Sequence, residues 1–257
     1  MLLFLSGLPL WAAISLLVVL PTILAMLGTI LVRRCVSLDR LTTNNEIAGF
    51  KFATVGVIYA VVVAFAVIVV WEKFSDAQAA VVQEAGASET LYQLAAGNDP
   101  KMAATRAALI DYLKVAIERD WPRMAAGKES DEATGALNAL YATTLRLTEG
   151  EPRSQALLIE MFNQLDAITK ARRTRLHLAT GVVPNVVWLV LFSGAVLTVG
   201  FTFFFGTESL RAQALMTGIL AVLVFIALFA IVEIDHPFTG PTHVSNEALK
   251  AVLDKSG

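Results

Sequence analysis

Three carboxylates, Glu72, Asp76 and Glu84, follow Trp71 at intervals of four and eight residues, so one face of an emerging helix would carry them all. Such a row can gather cations, although a plain solvated face has the same pattern. A second acidic group, Glu118 and Asp120 beside Trp121-Pro122, falls at a predicted helix end. Paired carboxylates suit acid–base work, yet nothing beside these completes a catalytic set. The chain has no glycine-rich phosphate loop, no His-Glu-x-x-His and no Ser or Cys with an evident base. His177, His236 and His243 are scattered, and the single Cys35 excludes an internal disulfide and a zinc site built from several thiolates. The sequence therefore predicts no enzyme, no metal site and no cofactor.

The other candidate chemistry is that of a membrane mouth. Asn44, Asn45, Glu46 and Lys51 stand at the entrance of an apolar run. Amides there can coordinate an ion and charges can set its sign. Thr43 and Glu46 also fit a capping box, in which both side chains satisfy backbone N–H groups of the next helix. Within the run, Ala53, Gly56, Ala60 and Ala64 form a small-residue stripe, which suits close helix packing or a narrow conduit. Val62, Phe65 and Val69 could form an apolar constriction that gates by dewetting, with Glu72 at the far end. A basic run, Lys170 to Arg175, carries four positive charges before a later apolar block and reads as topogenic.

The elements that would position these residues follow from composition. Hydrophobic residues make up 56% of the 257 and charged ones 16%, against roughly 25% charged in an average soluble domain. The apolar residues are bunched into blocks near Leu8–Val32, Ala48–Val70, Val182–Phe205 and Ala212–Val232. Each reaches the ~20 residues a bilayer crossing needs. No ionisable residue falls in the middle of any block, which argues against a buried proton relay. The first block has no positive charge ahead of it, so it reads as a retained span and not a signal peptide.

Between the second and third blocks the punctuation is helical. Asn98-Asp99-Pro100 and Ser130-Asp131-Glu132 read as starts, Gly127 as a stop, and Glu149-Gly150-Glu151-Pro152 as a stop and restart. In the last of these helices Leu157, Leu158, Met161, Leu165 and Ile168 share one face. The predicted fold is all-α: an integral membrane protein with four transmembrane helices and a helical bundle inserted between helices two and three. Its parts are residues 1–71, the insert 72–181, residues 182–232, and a tail 233–257. The tail carries an amphipathic piece, Glu247–Leu253, that would lie on the membrane or dock on the insert. A net charge of −2 with no basic, aromatic-interleaved stripe excludes nucleic acid as a partner. Basic residues flank both membrane faces, so charge leaves sidedness open.

Several residue groups resemble the bestrophin-like family of bacterial membrane proteins: Asn45 with Ala48-Gly49-Phe50, the run Val55-Gly56-Val57-Ile58-Tyr59-Ala60, and Trp71-Glu72 with Ala77 and Glu84-Ala85. Asp120-Trp121-Pro122 and Asp235-His236-Pro237-Phe238-Thr239-Gly240 add to the likeness. That resemblance implies a homo-oligomer in the bacterial inner membrane, a cytoplasmic insert and passage of small anions. Val70 stands where bestrophins carry the first residue of a Trp-Trp-Glu step, and no acidic cluster resembles a calcium clasp. The leading expectation is an oligomeric ion channel whose second span lines the pore. The alternative is a membrane-anchored interaction or sensor protein whose insert binds a partner.

Overall fold

The computed structural model describes residues 7–43, 45–97, 99–148, 155–181 and 183–256, and every regular element among them is helical. In chain order these are α1 (Leu10–Cys35), α2 (Leu38–Thr42), α3 (Asn45–Leu94), α4 (Pro100–Val115), α5 (Trp121–Met124) and α6 (Asp131–Leu145). There follow α7 (Gln155–Leu178), α8 (Asn185–Phe201), α9 (Leu210–Ile234) and α10 (Glu247–Ser256). Four helices are long and apolar enough to cross a membrane: α1, α3, α8 with its 3₁₀ extension to Phe204, and α9. The fold is that of a four-span helical membrane protein. α3 has 50 residues, about 75 Å of helix, of which a bilayer crossing uses ~20 residues.

Two prolines sit inside helices by the same device. A π-helical turn spans Ser15–Val19 just before Pro21, and another spans Ala116–Asp120 just before Pro122. Proline removes one backbone donor and crowds the preceding turn. Widening that turn to π geometry absorbs the insult without ending the helix.

The chain divides into two compact units, Met1–Glu72 with Val182–Asp235, and Lys73–Gly181 with His236–Gly257. In the first unit small residues let the helices close on one another. Ala25, Val199 and Ala221 form one buried cluster. Beside it the Thr29 hydroxyl donates to that of Thr217 (3.3 Å), and Thr217 donates to that of Thr202 (3.4 Å), polar links of the kind that join helices in lipid. A second cluster joins Tyr59, Ala66 and Val70 of α3 to Trp188, Leu191 and Ala195 of α8 and Leu228, Ile231 and Val232 of α9. The Tyr59 ring lies against Gly194, and its hydroxyl donates to the Leu191 carbonyl at 3.1 Å.

In the second unit the predicted punctuation holds where it is described. Asp99 accepts from the Lys101 N–H at 2.8 Å with Pro100 opening α4, and Ser130 accepts from the Ala133 N–H ahead of α6. Gly127 takes φ +66°, a conformation that costs glycine little. Asn98 and Glu149 to Pro152 lie outside the described residues. Met161, Leu165 and Ile168 are buried as the α7 pattern predicts. The tail docks on the insert: α10 buries Leu249 and Val252, Tyr92 donates to the Ser256 carbonyl, and Lys255 pairs with Glu89.

Candidate functional site

The polar mouth is built differently from the capping box. Thr43 turns its N–H and its hydroxyl proton back onto the Asp39 carbonyl, closing α2, and among the described residues no hydrogen bond joins it to Glu46. Asn45 instead uses its amide both ways: Nδ2 donates to the Gly206 carbonyl (2.8 Å) and Oδ1 accepts the Gly206 N–H (3.1 Å). Gly206 suits that grip, because an added Cβ would lie 2.8 Å from the Leu41 Cβ. The turn is further tied by Arg33, which donates to the Thr207 carbonyl and to Gln213 Oε1. Asn44 lies outside the described residues, while Glu46 and Lys51 are exposed.

Above the mouth α3 has one packed face and a wide open one. Tyr59, Ala66 and Val70 are buried, and Val62 is half-buried against the same cluster. The small stripe faces away from these contacts. Ala53, Ala60 and Ala64 are exposed and Gly56 is half-buried, with nothing within 4 Å of a Cβ added at Gly56. Close packing of the stripe within this chain is therefore not what it serves. Val57, Val61, Phe65 and Ile68 recur at steps of four, four and three residues and stand exposed, as do Val69, Trp71 and Glu72.

The expected acidic row dissolves in the second unit. Asp76 binds Lys73 (2.9 Å), whereas Glu84 is fully buried. The basic run divides likewise: Lys170 and Arg173 are exposed, but Arg172 and Arg175 are buried, so half the run belongs to the core of the second unit. Arg175 donates from Nε to Glu84 Oε2 (2.9 Å) and from Nη2 to Glu84 Oε1 (3.0 Å) and Asp120 Oδ2 (3.3 Å). Arg172 also donates to Asp120, from Nε at 3.0 Å and Nη2 at 3.2 Å, and the Ser130 N–H donates to Asp120 Oδ1 at 3.0 Å. Tyr112 donates its phenol to Glu84 Oε1 at 2.6 Å. The Arg175 guanidinium also lies 4.7 Å over the Trp121 ring, which packs edge-on against Phe238.

Two carboxylates and two guanidiniums balance in charge, and each lone pair and N–H so used offsets the desolvation that burial costs. Burial, and then the neighbouring Glu84 carboxylate, push the Tyr112 phenol well above its usual range. Sequence reasoning saw Asp120-Trp121-Pro122 but missed its partners. Its available signal was spacing: Leu165, Ile168, Arg172 and Arg175 continue the three- and four-residue steps of one core face.

Two more carboxylates lie near the end of α9. The helix runs two residues past the predicted span, and takes Glu233 into the interior, where among the described residues neither carboxylate oxygen is hydrogen-bonded. Asp235 accepts the Val183 N–H at 2.9 Å. Among the described residues no group of three or more His, Cys, Asp or Glu is placed to hold a metal ion.

Residues 19–249 match the model of the Bestrophin-like domain. The chain belongs to that family. No curated protein matches it. Among solved structures, a bacterial bestrophin homologue from Klebsiella pneumoniae aligns over 93% of this chain and 96% of its own, with TM-score 0.70 and 17% identity. A crystal structure described only as a membrane protein aligns over 93% and 98%, with TM-score 0.73 and 16% identity. At those identities the likeness is one of fold.

Proposed function

We propose that this Bestrophin-like chain is one subunit of an oligomeric ion channel of the bacterial inner membrane, with the open face of α3 lining an axial path. The supporting observation is the uneven burial of the spans. In the most apolar window of α3 17% of residues are buried, against 22%, 28% and 33% in the other three, although α3 carries the mouth. A helix touching its own chain on one face has others left for neighbouring copies and for a path.

Along that open face Ala53, Gly56, Ala60 and Ala64 leave room, and Val57, Val61, Phe65, Ile68 and Val69 narrow it with apolar surface. Such a constriction gates by dewetting and needs no charge at mid-membrane. Asn45, Glu46 and Lys51 stand at one end and Glu72 at the other. Small anions are the permeant class that the bestrophin likeness suggests, and the insert is cytoplasmic on the same ground.

Purified protein in planar bilayers tests the reading. It conducts, and Phe65→Ala changes the unitary current or the open fraction by removing apolar bulk from the neck. Reversal potentials under a potassium chloride gradient shift toward the chloride value. Silent bilayers, or a four-span monomer in detergent, contradict it.

A further inference from the structure

The basic run on α7 leaves one donor unspent, and a histidine follows it. Lys170 pairs with Asp166 (2.6 Å), and Arg172 and Arg175 are consumed by the buried carboxylates. Arg173 is exposed, and among the described residues its guanidinium meets no carboxylate. His177, one helical turn on, is exposed, and among the described residues nothing hydrogen-bonds its ring. Residues four apart share a helix face, and these two open into one groove of about 450 Å³ between α7 and α3.

The groove's far wall carries Lys73, Asp76 and Gln83, and Thr174 stands beside Arg173. Its floor includes Ala79 and Ala80, short side chains that let a ligand approach the helix backbone. The chemistry is one-sided. A guanidinium, an imidazole, an ammonium, a hydroxyl and an amide can all donate, while Asp76, the one carboxylate among the described lining residues, already holds Lys73 at 2.9 Å. Tetrahedral oxyanions bearing several acceptor oxygens match such a wall, and arginine suits them best because its fork donates in pairs.

Place along the chain narrows the source. Lys73 lies two residues past Trp71, at the point where α3 leaves its apolar stretch, and His177 lies eight residues before α8 begins. Groups that close to span ends lie within reach of lipid headgroups. The volume falls in the range of small-ligand sites, ~300–1,000 Å³, enough for a phosphodiester and its glycerol.

We propose that this groove is a binding site for the phosphate of an anionic phospholipid headgroup. It stands apart from the pore reading, since a tether as well as a channel could hold lipid there.

Full-length protein in detergent, titrated with phosphatidylglycerol and examined by native mass spectrometry, tests the site. Phosphatidylglycerol adducts persist on the wild type, and phosphatidylcholine adducts are much weaker. The Arg173→Gln, His177→Gln double variant loses affinity for phosphatidylglycerol by ~10-fold or more, as loss of a charge-assisted pair predicts. Lys170→Gln, on the same helix but outside the groove, keeps it. Both altered side chains are exposed, so the unfolding midpoint without lipid stays at the wild-type value. Equal phosphatidylglycerol retention by the double variant overturns the site. Inorganic phosphate displacing the lipid at equal concentration overturns the lipid as its source.

Discussion

Arg175 and Glu84, 91 residues apart in sequence, meet in a bidentate ion pair with both side chains fully buried. The pair ties the extramembrane end of α3 to α7 inside the second unit. Asp120 then ties the π-turn before Trp121 to the same guanidinium.

Breaking that pair from one side is costly. Glu84→Gln leaves the Arg175 charge with Asp120 alone, and loss of one partner of a buried pair costs ~3–5 kcal/mol. Lys170→Gln, which removes an exposed pair with Asp166, costs under ~1 kcal/mol. Urea or thermal unfolding of the two variants in detergent measures the contrast, and equal losses would refute it.

Tyr112 gives the same network a pH signature. Its phenol is held well above the ordinary value of 10.0 by burial and then by Glu84. A folded-state pKa above the unfolded one means stability complete below about pH 10 and lost as pH rises beyond it. Tyr112→Phe therefore lowers stability at pH 7 by ~1.5–3 kcal/mol, the worth of a hydrogen bond to a charged group. The gap between variant and wild type shrinks above pH 10. Unfolding midpoints from pH 7 to 11 provide the check, and a constant gap contradicts the assignment.

Two glycines separate packing within the chain from packing outside it. A Cβ added at Gly194 would lie 2.5 Å from the Tyr59 ring, so Gly194→Ala disrupts the contact of α3 with α8. Overpacking of this kind costs ~1–3 kcal/mol. Gly56→Ala meets nothing in the same chain, so it brings no such loss and stabilises the chain by up to the ~0.5–1 kcal/mol that alanine gains over glycine inside a helix. If the proposed channel reading holds, Gly56→Leu changes oligomer mass or conductance, because neighbouring copies or the path would meet that face. Light scattering with bilayer recording reads both, and a silent Gly56→Leu substitution on both counts would remove the support from the open face.

What the sequence made legible was whatever depends on composition or on neighbours along the chain. Four blocks read as spans because lipid crossing demands little beyond length and apolarity. Asp99, Gly127 and Ser130 read as helix ends because a cap is satisfied within three residues. The burial of Arg172 and Arg175 was not legible because their partners, Asp120 and Glu84, are 52 and 91 residues away. A basic run before a span has a ready local explanation that hides such partners. Thr43 read as a cap for the next helix, yet Asp39 behind it offered a nearer acceptor. The stripe at Gly56 was visible as a stripe, but spacing alone does not say which neighbour a face meets.

The open face of α3 is tested most directly by the current of a single substituted position. Phe65→Cys in a Cys35→Ser background, which removes the native exposed thiol, is recorded in planar bilayers before and after a charged methanethiosulfonate reagent. If residue 65 lines the proposed constriction, the reagent sharply alters the current. A current indifferent to the reagent, with modification confirmed by mass, would contradict it.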